Sequence, residues 1–105
     1  MTLDQIRENP ITATAAVNAA MEQNPEIYDF IMACLTRFFS GDYGTTGPED
    51  TAANNAELAD GAGRVVAHYE AFPGMEDDIF IIAVFNEDIP GDNNNNTCVL
   101  YCSEY

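Results

Sequence analysis

The side chains best suited to chemistry in this chain are one histidine, three cysteines and eighteen aspartates and glutamates. His68 could act as a general base near neutral pH, but it would need a nucleophile within hydrogen-bond reach. Cys98 or Cys102 would have to lie beside it across a sheet, and no spacing in the sequence places either of them there. We therefore expect that the protein is not an enzyme and that His68 is a structural or surface residue.

Two acidic segments could offer oxygen ligands to calcium or magnesium. One is the loop that contains Asp88, Asp92, Asn93 and Asn95, and the other is the turn at residues 76–78. Neither has the twelve-residue spacing with a terminal bidentate glutamate that defines a calcium-binding loop. We expect solvated loop acids in both places, with no metal and no cofactor.

The acids are more informative as a group. The chain has three arginines and no lysine, and its formal net charge is -15. Residues 1–40 hold five acids and two arginines, whereas residues 41–105 hold thirteen acids and one arginine. This imbalance favours binding to cations and basic surfaces. Three explanations remain open: imitation of nucleic acid, adaptation to high salt, and simple solubility of a small domain.

Helices are predicted in the first half of the chain. A short helix over Leu3 to Glu8 ends before Pro10, and alanine-rich residues 10–23 predict a second helix. Asn24-Pro25-Glu26 is a helix-start signal. Apolar residues spaced i, i+3, i+4, i+7, i+8 and i+11 from Ile27 to Phe38 predict the amphipathic helix that follows. Pro48 begins a further helix to about Leu58.

The second half predicts three strands, at residues 64–72, 79–85 and 97–102. The middle one is a continuous apolar run, which is typical of a central strand covered on both faces. We expect an α+β fold in which N-terminal helices pack on a three-stranded antiparallel β-meander. The 105 residues are long enough for a single domain with one core.

Cysteine usage favours a reducing compartment. Cys98 and Cys102 on one strand would lie about 13 Å apart, which is too far for a disulfide. Cys34 falls in the apolar helical pattern and is predicted to be a core residue. No apolar run is long enough for a membrane span, and no signal-peptide pattern is visible. We expect a cytoplasmic protein without membrane contact.

Several segments resemble a family of small phage- and plasmid-encoded proteins. Residues 35–44 read LTRFFSGDYG, Glu49-Asp50 is followed by Asn54 or Asn55, and residues 63–69 read GRVVAHY. The apolar run at 79–83 and the segment TCVLYCSEY at 97–105 complete the resemblance. It covers about residues 31–105, the expected α+β core, and leaves residues 1–30 as a helical extension outside it.

The resemblance departs from the family at informative positions. Tyr43 stands where the family has tryptophan, and His68 stands where it has serine. The loop at 86–96 is longer and richer in acids and asparagines. What the resemblance implies is a mobile-element context, in which some small proteins inhibit host defence.

Charge and resemblance together predict a stoichiometric inhibitor of a bacterial nucleic-acid-targeting defence nuclease. The expected partner is a host CRISPR effector nuclease, which would make the protein an anti-CRISPR, or another basic nucleic-acid-binding protein; direct binding to nucleic acid is not expected. Carboxylates would fill the basic cleft of the partner, with Tyr43 as an aromatic anchor. The predicted partner-binding acids are Glu49, Asp50, Glu57, Asp60, Glu76, Asp77, Asp78, Glu87, Asp88 and Asp92.

Two alternatives stay open beside an anti-restriction role. The first is a small structural or regulatory module that dimerises through its sheet, for instance along an open edge at Thr97 to Cys102. The second is an enzyme that needs His68, Cys98 and an acid to converge. A monomer or weak dimer is expected.

Overall fold

The computed structural model describes residues 2–86, 88 and 95–105. Within them the fold is α+β, with helices packed on a mixed sheet in the strand order β1-β4-β3-β2. The strands are β1 (Ile11–Ala13), β2 (Ala62–Tyr69), β3 (Ile79–Asn86) and β4 (Asn96–Tyr101). The helices are α1 (Leu3–Ile6), α2 (Ala15–Gln23), α3 (Pro25–Phe39) and α4 (Pro48–Asp60), with a short 3₁₀ helix at Cys102–Glu104.

The predicted meander is present, because β2, β3 and β4 are antiparallel neighbours. The sheet has a fourth strand that was not predicted, since β1 pairs in parallel with β4. The prediction of one helix over residues 10–23 was therefore wrong for its first part. The N–H of Thr97 donates to the carbonyl of Pro10 at 2.9 Å, and the N–H of Thr14 donates to that of Val99 at 3.1 Å. Pairing with a distant strand outweighs the local alanine-rich pattern.

The amphipathic helix α3 confirms its prediction. Asn24 caps it through a hydrogen bond from the Glu26 N–H at 2.9 Å, and Pro25 occupies its first turn. Its apolar stripe buries Ile31, Cys34 and Phe38 against the sheet. Residues 2–30 belong to the same core, which also contains Ile6, Val17 and Ile27.

The sheet has an inner face and an outer face. The inner face consists of alternate buried residues such as Val65, Ile81 and Val99, which share one apolar core with α1, α2 and α3. The strand β3 is central, as predicted, but the helices cover only one of its faces. On the outer face Phe80 and Ile82 are half-buried and Val84 is 38% exposed. The expectation of cover on both faces was therefore wrong.

The segment Thr97 to Cys102 is not an open edge. Most of it forms β4, which lies inside the sheet between β1 and β3. The edge strands of the sheet are β1 and β2. The alternative of a module that dimerises along this edge is wrong in that detail, because β4 already has a partner strand on each side.

Side chains and a loop cover the free edge of β2. The side-chain amide of Asn54, a buried residue of α4, donates to the Val66 carbonyl at 2.8 Å and accepts from the Val66 N–H at 3.0 Å. Further along the edge, the N–H of Thr45 donates to the His68 carbonyl at 2.9 Å. Gly44 reaches that edge with a φ of 65°, and a Cβ there would lie 2.4 Å from the His68 carbonyl oxygen. The edge groups of Val66 and His68 are thus satisfied without another strand, since the His68 N–H also donates to the Thr46 hydroxyl at 3.0 Å.

The two hydrogen bonds of Asn54 are therefore expected to contribute to the free energy of unfolding. The change Asn54→Ala leaves a buried N–H and a carbonyl of Val66 without partners, which should lower the free energy of unfolding by about 2 kcal/mol. Asn55, the next residue of α4, is exposed and provides the matched control, because Asn55→Ala changes composition identically. Urea denaturation of both variants measures the difference. Equal losses would show that the amide pairing with Val66 does not stabilise the fold.

Candidate functional site

The helix α4 carries four of the predicted partner-binding acids. Gly47 is its N-cap residue, Pro48 stands in the first turn, and Gly61 ends the helix with a φ of 78°. Glu49 and Asp50 lie in the first turn, where the positive end of the helix dipole stabilises carboxylates. The helix runs antiparallel to β2, since Asn54 meets Val66 and Glu57 lies against Gly63.

The acids of α4 share one side of the helix. Successive helical residues are about 100° apart, which places Asp50, Glu57, Asp60 and Glu49 within an arc of about 100°. Ala53 lies in the middle of this arc and is too short to cover the carboxylates. We call these four acids the α4 stripe. Glu49, Asp50 and Asp60 are exposed, and Glu57 is half-buried.

The α4 stripe has no ion-pair partner among the described residues. The ion pairs there are Asp4–Arg7, Arg37–Asp42 and His68–Asp78. None of these pairs includes a residue of α4. The four carboxylates on this helix face therefore form no ion pair within the described residues, and their mutual repulsion favours an external positive charge.

The predicted acids of the β2–β3 turn do not act as one cluster. Glu76 is exposed, whereas Asp77 and Asp78 are half-buried. Asp77 accepts hydrogen bonds from the N–H of Asp78 and the N–H of Ser103, both at 2.8 Å. Asp78 accepts from the N–H of Ala71 at 2.7 Å. Asp77 and Asp78 thus stabilise the turn, and Glu76 is the acid most available to a partner.

The remaining predicted acids lie at the other end of β3. Asp88 is exposed, and its N–H donates to the Asn86 side chain at 3.0 Å. Because Ala62 pairs with Asn86, Asp88 lies at the end of the sheet where α4 ends with Asp60. Glu87 and Asp92 were also predicted to bind a partner, but both lie outside the described residues.

Tyr43 is a core residue. It is 6% exposed, and its ring packs edge-on against Phe38 with centroids 6.0 Å apart. Tyr43 thereby anchors its loop to the core. The burial that provides this anchoring leaves the ring little surface to offer a partner.

The loop of Tyr43 is held by polar contacts as well. The hydroxyl of Tyr69 donates to the Asp42 carbonyl at 2.7 Å. The guanidinium of Arg37 donates to the Asp42 carboxylate at 2.7 Å, and this hydrogen bond lowers the pKa of Asp42. Asp42 also accepts from the Gly44 N–H at 3.0 Å, which lowers the pKa further. The loop is a structural turn held by these contacts.

His68 belongs to a side-chain hydrogen-bond network that the sequence did not predict. Its Nδ1 meets the hydroxyl of Thr45, and its Nε2 lies 3.0 Å from a carboxylate oxygen of Asp78. The imidazole also packs against Phe80 with centroids 5.5 Å apart. Thr45 is 23 residues from His68 and Asp78 is ten residues from it, with no motif spacing, so the loop before α4 and the β2–β3 hairpin bring them together.

The structure does not bring His68 and the cysteines together. The strand β3 separates β2 from β4, so two strand spacings, about 10 Å, lie between His68 and Cys98. The register also offsets them, because Cys98 pairs with Ile82 and His68 pairs with Phe80. Burial raises the pKa of Cys34 and of Cys102 to about 11, which keeps both as thiols at neutral pH.

A cleft of about 590 Å³ opens between α4 and the outer face of the sheet. Asp50, Ala53 and Glu57 line its α4 side. The sheet side presents Val66, Phe80 and His68, and the remaining wall consists of Arg64, Tyr105 and the loop at Thr45–Gly47. Asp50 and Glu57, two of the four acids of the α4 stripe, therefore face a concave surface. Within the part of the chain that the structure describes, no group of three His, Cys, Asp or Glu side chains could hold a metal ion.

Comparison of the chain with protein-family models, with curated proteins and with solved structures found no match. None of the helices in the described ranges has both the length and the apolarity required to cross a bilayer.

The structural acids predict how stability depends on pH. The pKa values of Asp42 and Asp77 lie below their ordinary value of 3.8, because Arg37 and the Ser103 N–H, respectively, favour the ionised forms. A depressed folded-state pKa stabilises the fold above the unfolded pKa, and this stabilisation is lost as pH falls through the folded value. We expect the free energy of unfolding to decrease as the pH is lowered below about 4.

Urea denaturation at fixed ionic strength between pH 2 and pH 7 measures this decrease. The variant Asp77→Ala should show a shallower loss, because it lacks one of the two contributing carboxylates. Asp29→Asn, which changes an exposed acid of α3, is the control and should follow the parent profile. A parent profile that stays flat below pH 4 would contradict the assignment.

Proposed function

We propose that the protein is a stoichiometric inhibitor that occupies the basic nucleic-acid groove of a bacterial defence nuclease. A CRISPR effector nuclease is the proposed target, which would make the protein an anti-CRISPR, and a restriction enzyme is the next candidate. The observation that carries the proposal is the α4 stripe, in which four carboxylates share one helix face without an ion-pair partner among the described residues.

The spacing of the stripe supports imitation of a phosphate backbone. Glu49 and Asp60 are eleven positions apart, which corresponds to about 16 Å along the helix axis. One strand of duplex DNA presents about five phosphates over that length. Four carboxylates over the same length give a similar charge density, so the stripe could pair with arginines and lysines that normally contact phosphates.

The distribution of charge over the chain supports a single anionic side. The acids of α4 lie along the β2 edge, Glu76 lies at one end of β3, and Asp88 lies at the other end. The C-terminal part of the chain, residues 41–105, carries thirteen of the eighteen acids. Carboxylates that are already exposed speed association with a basic surface, and their contribution falls as salt screens them.

The sequence resemblance supports the biological setting. Residues 31–105 resemble small phage- and plasmid-encoded proteins, and mobile elements gain from blocking nucleases that destroy incoming DNA. The inhibitor would exclude target DNA or guide RNA by occupancy, in a one-to-one complex, and would need no turnover. A cytoplasmic location in the bacterial host follows from this role.

The α4 stripe makes a prediction about inhibition. The triple variant Glu49→Gln, Glu57→Gln, Asp60→Asn should weaken inhibition about tenfold or more, because each lost charge pair contributes roughly 0.5 to 1 kcal/mol. The control is the triple variant Glu8→Gln, Glu22→Gln, Asp29→Asn, which removes the same charge from three exposed positions in the first 30 residues. It should change inhibition less than about twofold.

The measurement is DNA cleavage by purified CRISPR effector nucleases and restriction endonucleases, titrated with the protein at several salt concentrations. Inhibition should reach its end point at equimolar protein and weaken as salt rises. Equal effects of the two triple variants would argue against the stripe. Normal cleavage across the panel would remove the proposal itself.

The outer face of the sheet favours a second candidate, an interaction module that self-associates. Phe80, Ile82 and Leu100 on this face are half-buried and Val84 is 38% exposed, and Arg64, the cross-strand partner of Val84, is the charged residue beside them. A group of four apolar side chains without an acid among them is unusual on a chain with a net charge of -15, and apolar patches commonly mark interaction sites.

Sedimentation velocity at 10 to 100 µM distinguishes the two candidates. A self-associating module should sediment as a dimer, and Ile82→Glu should dissociate it because a carboxylate would be buried between copies. Ala52→Glu, which adds the same charge on an exposed side of α4, should leave the dimer intact. The inhibitor proposal requires no dimer, and a concentration-independent monomer would exclude the module.

A further inference from the structure

The cleft between α4 and the outer face of the sheet contains polar groups of two kinds. The first kind already has partners within the protein. Thr45 contacts His68, the Thr46 hydroxyl donates to the Tyr43 carbonyl at 2.6 Å, and Asn54 bonds the backbone of Val66. These side chains shape the cleft, and their hydrogen-bonding capacity is largely used.

The second kind has no polar partner among the described residues. It comprises the carboxylates of Asp50 and Glu57 and the guanidinium of Arg64, for which the structure gives no hydrogen bond and no ion pair. The guanidinium of Arg64 instead lies over the ring of Tyr105, 5.8 Å from its centroid. Three charged groups therefore face the cleft with their polar capacity available to a ligand.

The two carboxylates lie at opposite ends of the cleft. Asp50 and Glu57 are two helical turns apart, or about 10 Å along the α4 axis. Asp50 lies towards the His68 end, whereas the Glu57 carboxylate lies directly over Gly63, where a Cβ would come within 1.7 Å of its Oε2 atom. Between them lie Ala53, Val66 and Asn54, whose amide is already bonded to the Val66 backbone, so this part of the surface offers mainly apolar contact.

We propose that this cleft binds a basic, extended peptide segment with two positively charged side chains about 7 to 10 Å apart, the span of two to three residues at roughly 3.3 Å each. One cation would pair with Asp50 and the other with Glu57, while the backbone between them crosses the apolar floor. The proposal rests on the proposed function, because it specifies which part of a basic partner the α4 stripe recognises.

Arg64 gives this proposal a distinctive signature. Its position over Tyr105 shows that this wall of the cleft accepts a guanidinium over an aromatic face. The same guanidinium is a like charge to the proposed ligand and occupies the ring that the ligand could use. Removal of Arg64 should therefore strengthen binding, whereas removal of either carboxylate should weaken it.

The test is a titration of the full, isotope-labelled chain with an acetylated and amidated pentapeptide, Gly-Arg-Ala-Arg-Gly, followed by NMR at low salt. The control peptide has citrulline in place of both arginines and keeps the shape without the charge. Amide shifts at Val66, His68 and Phe80, which line the cleft, should respond to the charged peptide alone.

The variants test the site through opposite changes in affinity. Asp50→Asn and Glu57→Gln should each weaken binding about threefold to tenfold, and Arg64→Gln should strengthen it at least about twofold. Glu8→Gln and Asp29→Asn remove the same charge at exposed positions outside α4, and each should change affinity less than about twofold. The amide spectrum of each variant verifies that it is folded.

Different failures have different meanings. Equal weakening by Asp50→Asn and Asp29→Asn would show that the peptide follows net charge, which overturns the cleft and leaves the proposed function standing. Weaker binding by Arg64→Gln, or equal binding of the citrulline peptide, would also overturn the cleft. Selective peptide binding together with normal nuclease cleavage would support the cleft and refute the nuclease as the partner.

Discussion

The amide pairing between Asn54 and the backbone of Val66 is the interaction on which the functional surface depends. It joins a helix to the edge of a sheet with two hydrogen bonds, at 2.8 and 3.0 Å, between groups that water would otherwise have to solvate. Because these bonds fix both the rotation and the height of α4, they decide which side of the helix faces outward. The stripe and the cleft are consequences of that one orientation.

The carboxylates divide into a structural set and an available set. Asp42, Asp77 and Asp78 accept backbone or side-chain hydrogen bonds and hold loops in place. The acids of α4 hold no other part of the described chain. A count of acids along the sequence treats both sets alike, whereas the hydrogen bonds separate carboxylates that the fold requires from carboxylates that a partner could use. This division also explains why net charge alone is a poor guide to a binding surface.

Local signals in the sequence predicted the elements whose formation is local. The helix α3 follows from its apolar periodicity and its Asn24-Pro25 start, and α4 follows from Pro48 and its acidic first turn. The strand β1 could not be predicted, because three residues become a strand only by pairing with β4. The hydrogen-bond network around His68 and the walls of the cleft likewise arise from contacts between separate elements of the fold, for which the sequence contains no fixed spacing.

The parallel pairing of β1 with β4 has a consequence for how the chain folds. It joins residues 11–13 to residues 97–99, so the sheet stays incomplete during synthesis until the segment that forms β4 has left the ribosome. Closing so long a loop costs entropy that only the finished core repays, which makes this contact a late step in folding. Until then α2 lacks the β4 contact that would hold it on the sheet, and chaperones or proteases would meet it in that state.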